Sequence, residues 1–198
     1  MAVVFDEILT KGVRSGQIPA RTAKARDWYR DTAKDYKSVK ENDFFGKKGQ
    51  KDRMTTMPML GGMYMYEYSA KFKDKLPYYD RLPLIFPFKK VKGGFYGLNM
   101  HYLPLPLRAK LMDALYETAN NKSYDETTKL RISYKILDGA ARYKEFKPCV
   151  KRYLTKQVTS KFMYVYPSEW DIALFLPTER FVGASKSSVW ADSKGKIG

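Results

Sequence analysis

Few side chains in this 198-residue chain are equipped for chemistry, and their scarcity narrows what it can do. His101 is the one histidine and Cys149 the one cysteine. A single imidazole excludes multi-histidine metal sites and leaves few routes to a histidine-based triad. A single thiol excludes a disulfide framework or a Cys-cluster zinc site within one chain. His101 falls in the aromatic run Phe95-Tyr96-Gly97-Leu98-Asn99-Met100-His101-Tyr102 with no carboxylate beside it, so it reads as a packed or hydrogen-bonded strand residue rather than a general base. Cys149 follows Pro148 in a basic neighbourhood that would lower a thiol pKa. Its only imidazole partner would be His101, so it reads as a small core thiol.

Carboxylates offer one sharper idea. Asp138 upstream of Glu145-Phe146-Lys147 superficially matches an acid…Glu-x-Lys arrangement that holds Mg²⁺ and orients water. That chemistry needs carboxylates converging from fixed backbone. Here Asp138 falls at the end of a predicted helix and Glu145 in a charged turn, so a Mg²⁺-dependent nuclease is the weakest of three functional readings. Glu169 and Asp171 follow Pro167-Ser168 and read as a helix start, with Ser168 as cap. Gly93-Gly94-Phe95-Tyr96-Gly97 lacks the Lys-Ser/Thr and the following helix of a phosphate-cradling loop, and reads as turn chemistry. No metal, cofactor or small-molecule substrate is expected.

What the chain does have is positive charge. Lys+Arg number 37 against 21 Asp+Glu, a net charge of +16 with a pI near 9.7. The excess is spread along the chain, +5 over residues 1–60, +4 over 61–120 and +7 over 121–198. Such a surplus draws the molecule to polyanions. The densest stretch carries Lys144, Lys147, Lys151, Arg152, Lys156 and Lys161, opposed only by Glu145. Lys89, Lys90 and Lys92, before the Gly93 turn, form a second candidate patch. Lys144, Lys147, Lys151 and, less strictly, Lys156 are expected to share one exposed face able to neutralise several phosphates. With no zinc-finger or RNP-type sequence, DNA contact would run through backbone charge and shape.

The elements that position these residues read as α+β: a small antiparallel β-sheet or barrel with flanking helices and an extended helical N-terminal segment. Residues 1–52 are expected as a basic helical arm. Val4, Ile8 and Leu9 give a stripe that Gly12 and Gly16 stop, and Trp28, Ala25, Thr32 and Tyr36 line an aromatic ridge in the segment from Ala20 to Val39. Gly46 to Lys51 reads as linker. Residues 53–198 are expected to form the core domain, with strands at Met63–Tyr68, Pro83–Phe88 (an edge or a barrel rim, by its prolines) and Phe95–Tyr102, where Gly97 permits a bend or a close backbone approach. A basic helical insert of about 107–160 follows. It holds a helix at Leu107–Ala119 on Leu107, Leu111, Ala114 and Leu115, another near Glu126–Tyr143 on Leu130, Tyr134, Leu137 and Ala141, and a third opened by Pro148. Phe162–Tyr166 and Ile172–Leu176 read as further strands, and the Ser/Lys/Gly-rich tail has Trp190 as its lone anchor. There is no apolar run near 18 residues and no basic-then-apolar leader, so no membrane partner is expected, and the chain reads as soluble and intracellular where it is made.

Three runs carry a family resemblance: Leu76-Pro77-Tyr78-Tyr79-Asp80-Arg81-Leu82-Pro83-Leu84, Gly93 to Pro104, and Leu174-Phe175-Leu176-Pro177-Thr178-Glu179-Arg180-Phe181. They resemble small virion-associated proteins of large contractile-tailed bacteriophages, some labelled DNA end protectors, over about residues 60–193. The resemblance implies a non-enzymatic virion or assembly protein, located in the particle, that contacts double-stranded DNA and shields packaged ends at head filling and neck closure. It supplies no catalytic residue. The alternative it leaves open is a tail or baseplate subunit acting only through other phage structural proteins, with Trp28, Tyr36 and Trp190 as docking residues.

Overall fold

A computed structural model describes residues 4–19, 22–45, 48–119 and 121–197. Ala20 and Arg21 of the expected second helix, Gly46 and Lys47 of the expected linker, the side chain of Leu130 and the terminal Gly198 lie outside the described residues. The fold is mixed α+β. Strands β1 (Met54–Thr55), β2 (Met63–Met65), β4 (Leu84–Val91), β5 (Gly94–Asn99), β6 (Val150–Leu154) and β7 (Phe162–Val165) form one antiparallel sheet in the order β1-β7-β2-β4-β5-β6. β3 (Tyr79–Asp80) and β8 (Phe181–Val182) pair separately. The sheet curls without closing into a barrel. Past β2, Tyr68 bridges to Val158 beyond β6, and Ser69 and Thr159 donate backbone bonds to Gln157 and Glu67 across the same seam.

Period-2 alternation buries both faces of this sheet. Met63, Met65, Leu84, Phe86, Leu98, Met163 and Val165 join the cluster beneath the helices. Tyr64, Tyr66, Ile85, Phe95, Tyr153 and Phe162 build a second, aromatic cluster inside the curl. β4 is therefore central rather than an edge. Pro87 is tolerated because the register shifts between Pro87 and Lys89, leaving a bulge where its missing N–H is not needed.

Seven α-helices lie among the described residues: α1 (Val4–Arg14), α2 (Ala23–Lys34), α3 (Asn42–Phe45), α4 (Leu105–Ala119), α5 (Glu126–Ala140), α6 (Trp170–Phe175) and α7 (Lys186–Ile197). α1 runs straight through Gly12, whose lack of a Cβ leaves room for the Tyr29 ring. α2 buries Ala25, Tyr29, Arg30 and Ala33, one residue round from the expected ridge, and leaves Trp28 and Tyr36 half-buried. Both N-terminal helices share the cluster beneath the sheet. Residues 48–53 form a 3-10 turn rather than a plain linker. Ile172–Leu176 is not a strand: its apolar run is the wholly buried α6, and a short buried helix has no periodicity to reveal it. Residues after Pro148 form β6 instead of a third helix, since Pro148 sits in a 3-10 turn and Val150–Leu154 pairs with β5. The tail folds as α7.

Among the glycines of β5, the close approach falls at Gly94 rather than Gly97. A Cβ on Gly94 would stand 1.9 Å from the Tyr153 carbonyl oxygen, while one on Gly97 would come no nearer than 3.2 Å to any atom, the tip of Ile85. Gly94→Ala is thus expected to destabilise the fold by about 1–3 kcal/mol, as overpacking does. Gly97→Ala should cost less. Chemical denaturation of the two variants checks the order.

Candidate nucleic-acid interface

Buried polar groups come first, because they place the rest. Asp80, fully buried, accepts from Leu82 N (3.1 Å), Asn99 Nδ2 (2.9 Å) and His101 Nδ1 (2.7 Å). A carboxylate must accept, so the proton sits on Nδ1, and Nε2 lies 2.9 Å from the Thr178 hydroxyl. Asn99 also donates to the Tyr153 hydroxyl at 2.9 Å. This Asp–His–Thr chain has the outline of a nucleophilic triad. Thr178 has no exposed surface, however, and the His101 carbonyl is taken by Arg108 and Trp190. It is a structural knot.

Arg108, wholly buried, donates to the Leu103 and Leu174 carbonyls and pairs with Glu179 at 2.7 Å. Burial alone would raise the Glu179 carboxyl, but His101, Arg108 and Lys186 hold it down at about 2. Cys149 is buried, donates to the Phe146 carbonyl, and has its thiol pushed up to about 12 by burial. Asp138 pairs with Arg142 one turn on, and among the described residues no three His, Cys, Asp or Glu side chains gather to hold a metal.

The arginines and lysines divide the work. Arg26 and Arg30 bind Asp113, Arg30 also binds Asp171, Arg53 grips Glu169 through two bonds, and Arg81 and Arg180 both reach Glu41. These pairs consume carboxylates inside or against the body. Lys89, Lys90, Lys92, Lys147, Lys156 and Lys161 are exposed with no carboxylate partner among the described residues.

The candidate cations do not share one helical face. Lys144 and Lys147 are exposed on the 3-10 turn before β6, and Lys161 is exposed just before β7. Lys89, Lys90, Lys92, Arg152 and Lys156, in contrast, are brought together at one end of the sheet. Lys89 and Arg152 flank Tyr96 from β4 and β6, Arg152 reaches the Lys92 carbonyl, and Thr155, next to Lys156, donates to the Gly93 carbonyl. β6 is the last strand of the sheet, so this patch continues along an open edge.

Lys151 departs most from expectation. It turns from the surface into a cleft of about 340 Å³ between β6 and the 70–78 loop, with its ammonium 3.9 Å from the centre of the Tyr102 ring. Burial lowers its pKa to about 8, Lys196 acting the same way and Cys149 and Asp192 against it. The proposed docking aromatics are also used within the chain. Trp190 donates to the His101 carbonyl at 2.8 Å beside Arg108 and Lys186, Tyr36 donates to Glu7, and Trp28 packs edge-on to Tyr29. Sequence reading missed Lys71, Lys73 and Lys75, all exposed on the loop across the cleft, where Phe72 is 57% and Leu76 43% exposed. The alternating Lys-x-Lys-x-Lys before Pro77 was the signal available.

The chain is thus a basic α+β protein with a cationic sheet edge beside an aromatic cleft. The chain belongs to the family of the phage T4 terminal DNA protecting protein, whose family model matches residues 5–194. No curated protein and no solved structure matched it.

Lys151 ties the cleft to stability. Its pKa is lower folded than the ordinary 10.5, so between about pH 8 and 10.5 the unfolded chain binds more protons and stability rises with pH. The buried Cys149 thiol acts oppositely from about pH 9 and the raised tyrosines above about pH 10, in the wild type and in a Lys151 variant alike. From pH 7.5 to 9.5 the thermal midpoint of the wild type is expected to gain on that of Lys151→Met, and paired melting curves read the difference.

Proposed function

We propose that the protein shields the ends of linear double-stranded DNA without cutting or joining it. In this reading it sits in the virion near the head–neck, among other structural proteins of the particle, after synthesis in the host cytoplasm. Family membership supports the DNA-protecting role. The observation that carries the contact surface is the cluster of Lys89, Lys90, Lys92, Arg152 and Lys156 at one end of the sheet, without competing carboxylates among the described residues. Free lysines beside an arginine suit a phosphate backbone, which offers closely spaced charge and rewards contact by releasing counterions. The titratable groups that would serve catalysis are buried and hydrogen-bonded within the chain, which supports a role in binding alone.

The purely protein-docking alternative has less support, because Trp28, Tyr36 and Trp190 are engaged inside the chain.

Binding to linear duplexes of two lengths, at several salt concentrations, tests the proposal. End binding gives two proteins per duplex at either length. Neutralising Lys89, Lys92, Arg152 and Lys156 is expected to weaken binding and to flatten log K against log salt by about 0.9 for each phosphate that is no longer neutralised. Stoichiometry that grows with duplex length, or an unchanged slope, would refute it.

A further inference from the structure

Resting on the end-shielding reading, we propose that the cleft between the 70–78 loop and β6 receives the terminal nucleotide of a DNA strand. Its terminal phosphate lies against Lys151 and Arg152, and its base lies against Phe72 and Tyr78. Four observations converge on this occupant.

The first is size. At about 340 Å³ the cleft is at the small end of ligand sites, enough for a nucleotide and far too narrow for a duplex. The second is an unanswered charge. Lys151 is drawn into the wall against a tyrosine face with no carboxylate in ion-pairing reach. The acids nearby are already engaged: Asp80 accepts from Leu82 N, Asn99 and His101, and Asp192 accepts from Tyr78 and Lys196. A sequestered ammonium of this kind is complemented by an anion brought from outside.

The third is Phe72, more than half exposed and lining the cleft beside Lys71, where it offers a flat apolar face that a base can cover whatever its identity. The fourth is continuity. Arg152 belongs both to the cleft and to the hairpin patch, through its bond to the Lys92 carbonyl. A duplex held along that patch meets the cleft only where it ends, because an internal nucleotide is stacked and joined on both sides. Edge and cleft together then distinguish an end from a middle.

The test is a titration of one short duplex in four forms: 5′-phosphorylated, 3′-phosphorylated, hydroxyl-ended, and closed by hairpin loops at both termini. A phosphate-bearing end is expected to bind about tenfold more tightly than the hydroxyl end, the size of one charge-assisted contact. Lys151→Met should abolish that preference and Lys151→Arg should keep it. Phe72→Ala, which removes an exposed ring, should weaken all open-ended duplexes while leaving the closed one unaffected, and it keeps the test open if Lys151→Met does not fold. If open and closed duplexes bind alike, the end-shielding reading itself fails. If open duplexes are preferred but phosphate and hydroxyl ends bind equally and Phe72→Ala behaves as wild type, the cleft assignment alone is overturned.

Discussion

The buried carboxylate of Asp80 is the constraint around which the working end of this protein is arranged. A charge so far from water must have its acceptor positions filled, and here they are filled from separate stretches of chain: the Leu82 amide, the Asn99 amide on β5 and the His101 imidazole beyond it. Asn99 extends the knot to Tyr153 on β6, and His101 extends it to Thr178. The His101 carbonyl then receives Arg108 from α4 and Trp190 from α7. Tyr102, adjacent to His101, and Lys151, two residues before Tyr153, are thereby held face to face across the cleft wall. The one histidine of the chain is used to make a place rather than to move a proton.

A second principle is the division of positive charge. Arginine, with a planar fork matched to carboxylates, takes the internal pairs that fasten α2 to α4 and α6, and residue 53 to Glu169. Those pairs occupy Asp113, Asp171 and Glu169 of the 21 acidic side chains. The +16 surplus is left mainly on lysines at the surface, and the curled sheet collects several of them at one end. The two buried faces have a related consequence. With helices on one side and an aromatic cluster on the other, the sheet leaves only its terminal strands, β1 and β6, with an unpaired edge.

Much of this was legible in the residues. The α+β class, the aromatic strands around 63–65 and 84–99, both helices of the 105–140 region, and the buried settings of His101 and Cys149 follow from periodicity, although folding brings His101 a carboxylate partner, Asp80, that the sequence does not place beside it. The misses have physical causes. Ile172–Leu176 is apolar throughout, and a short segment buried on all sides looks the same whether coiled or extended. Pro83 and Pro87 pointed to an edge, but a bulge places Pro87 in mid-sheet. The basic stretch from Lys144 to Lys161 looked like one face because a helix was expected there. The turn into β6 distributes it instead, and strand alternation turns Lys151 inward and Arg152 outward. The Lys71, Lys73 and Lys75 alternation marks a basic loop, but that this loop faces β6 across the cleft, with Lys71 in its lining, follows only from the tertiary fold.

The central claim is that this molecule guards a DNA terminus with a cationic edge and an adjoining cleft. Digestion of a linear duplex by a processive exonuclease, after incubation with the protein, tests it most directly. The account predicts that full-length duplex persists with the wild-type protein and disappears at the unprotected rate when Lys92, Arg152 and Lys156 are changed together to Glu. Digestion that proceeds unhindered beside the wild-type protein, or protection that survives the triple substitution, would contradict it.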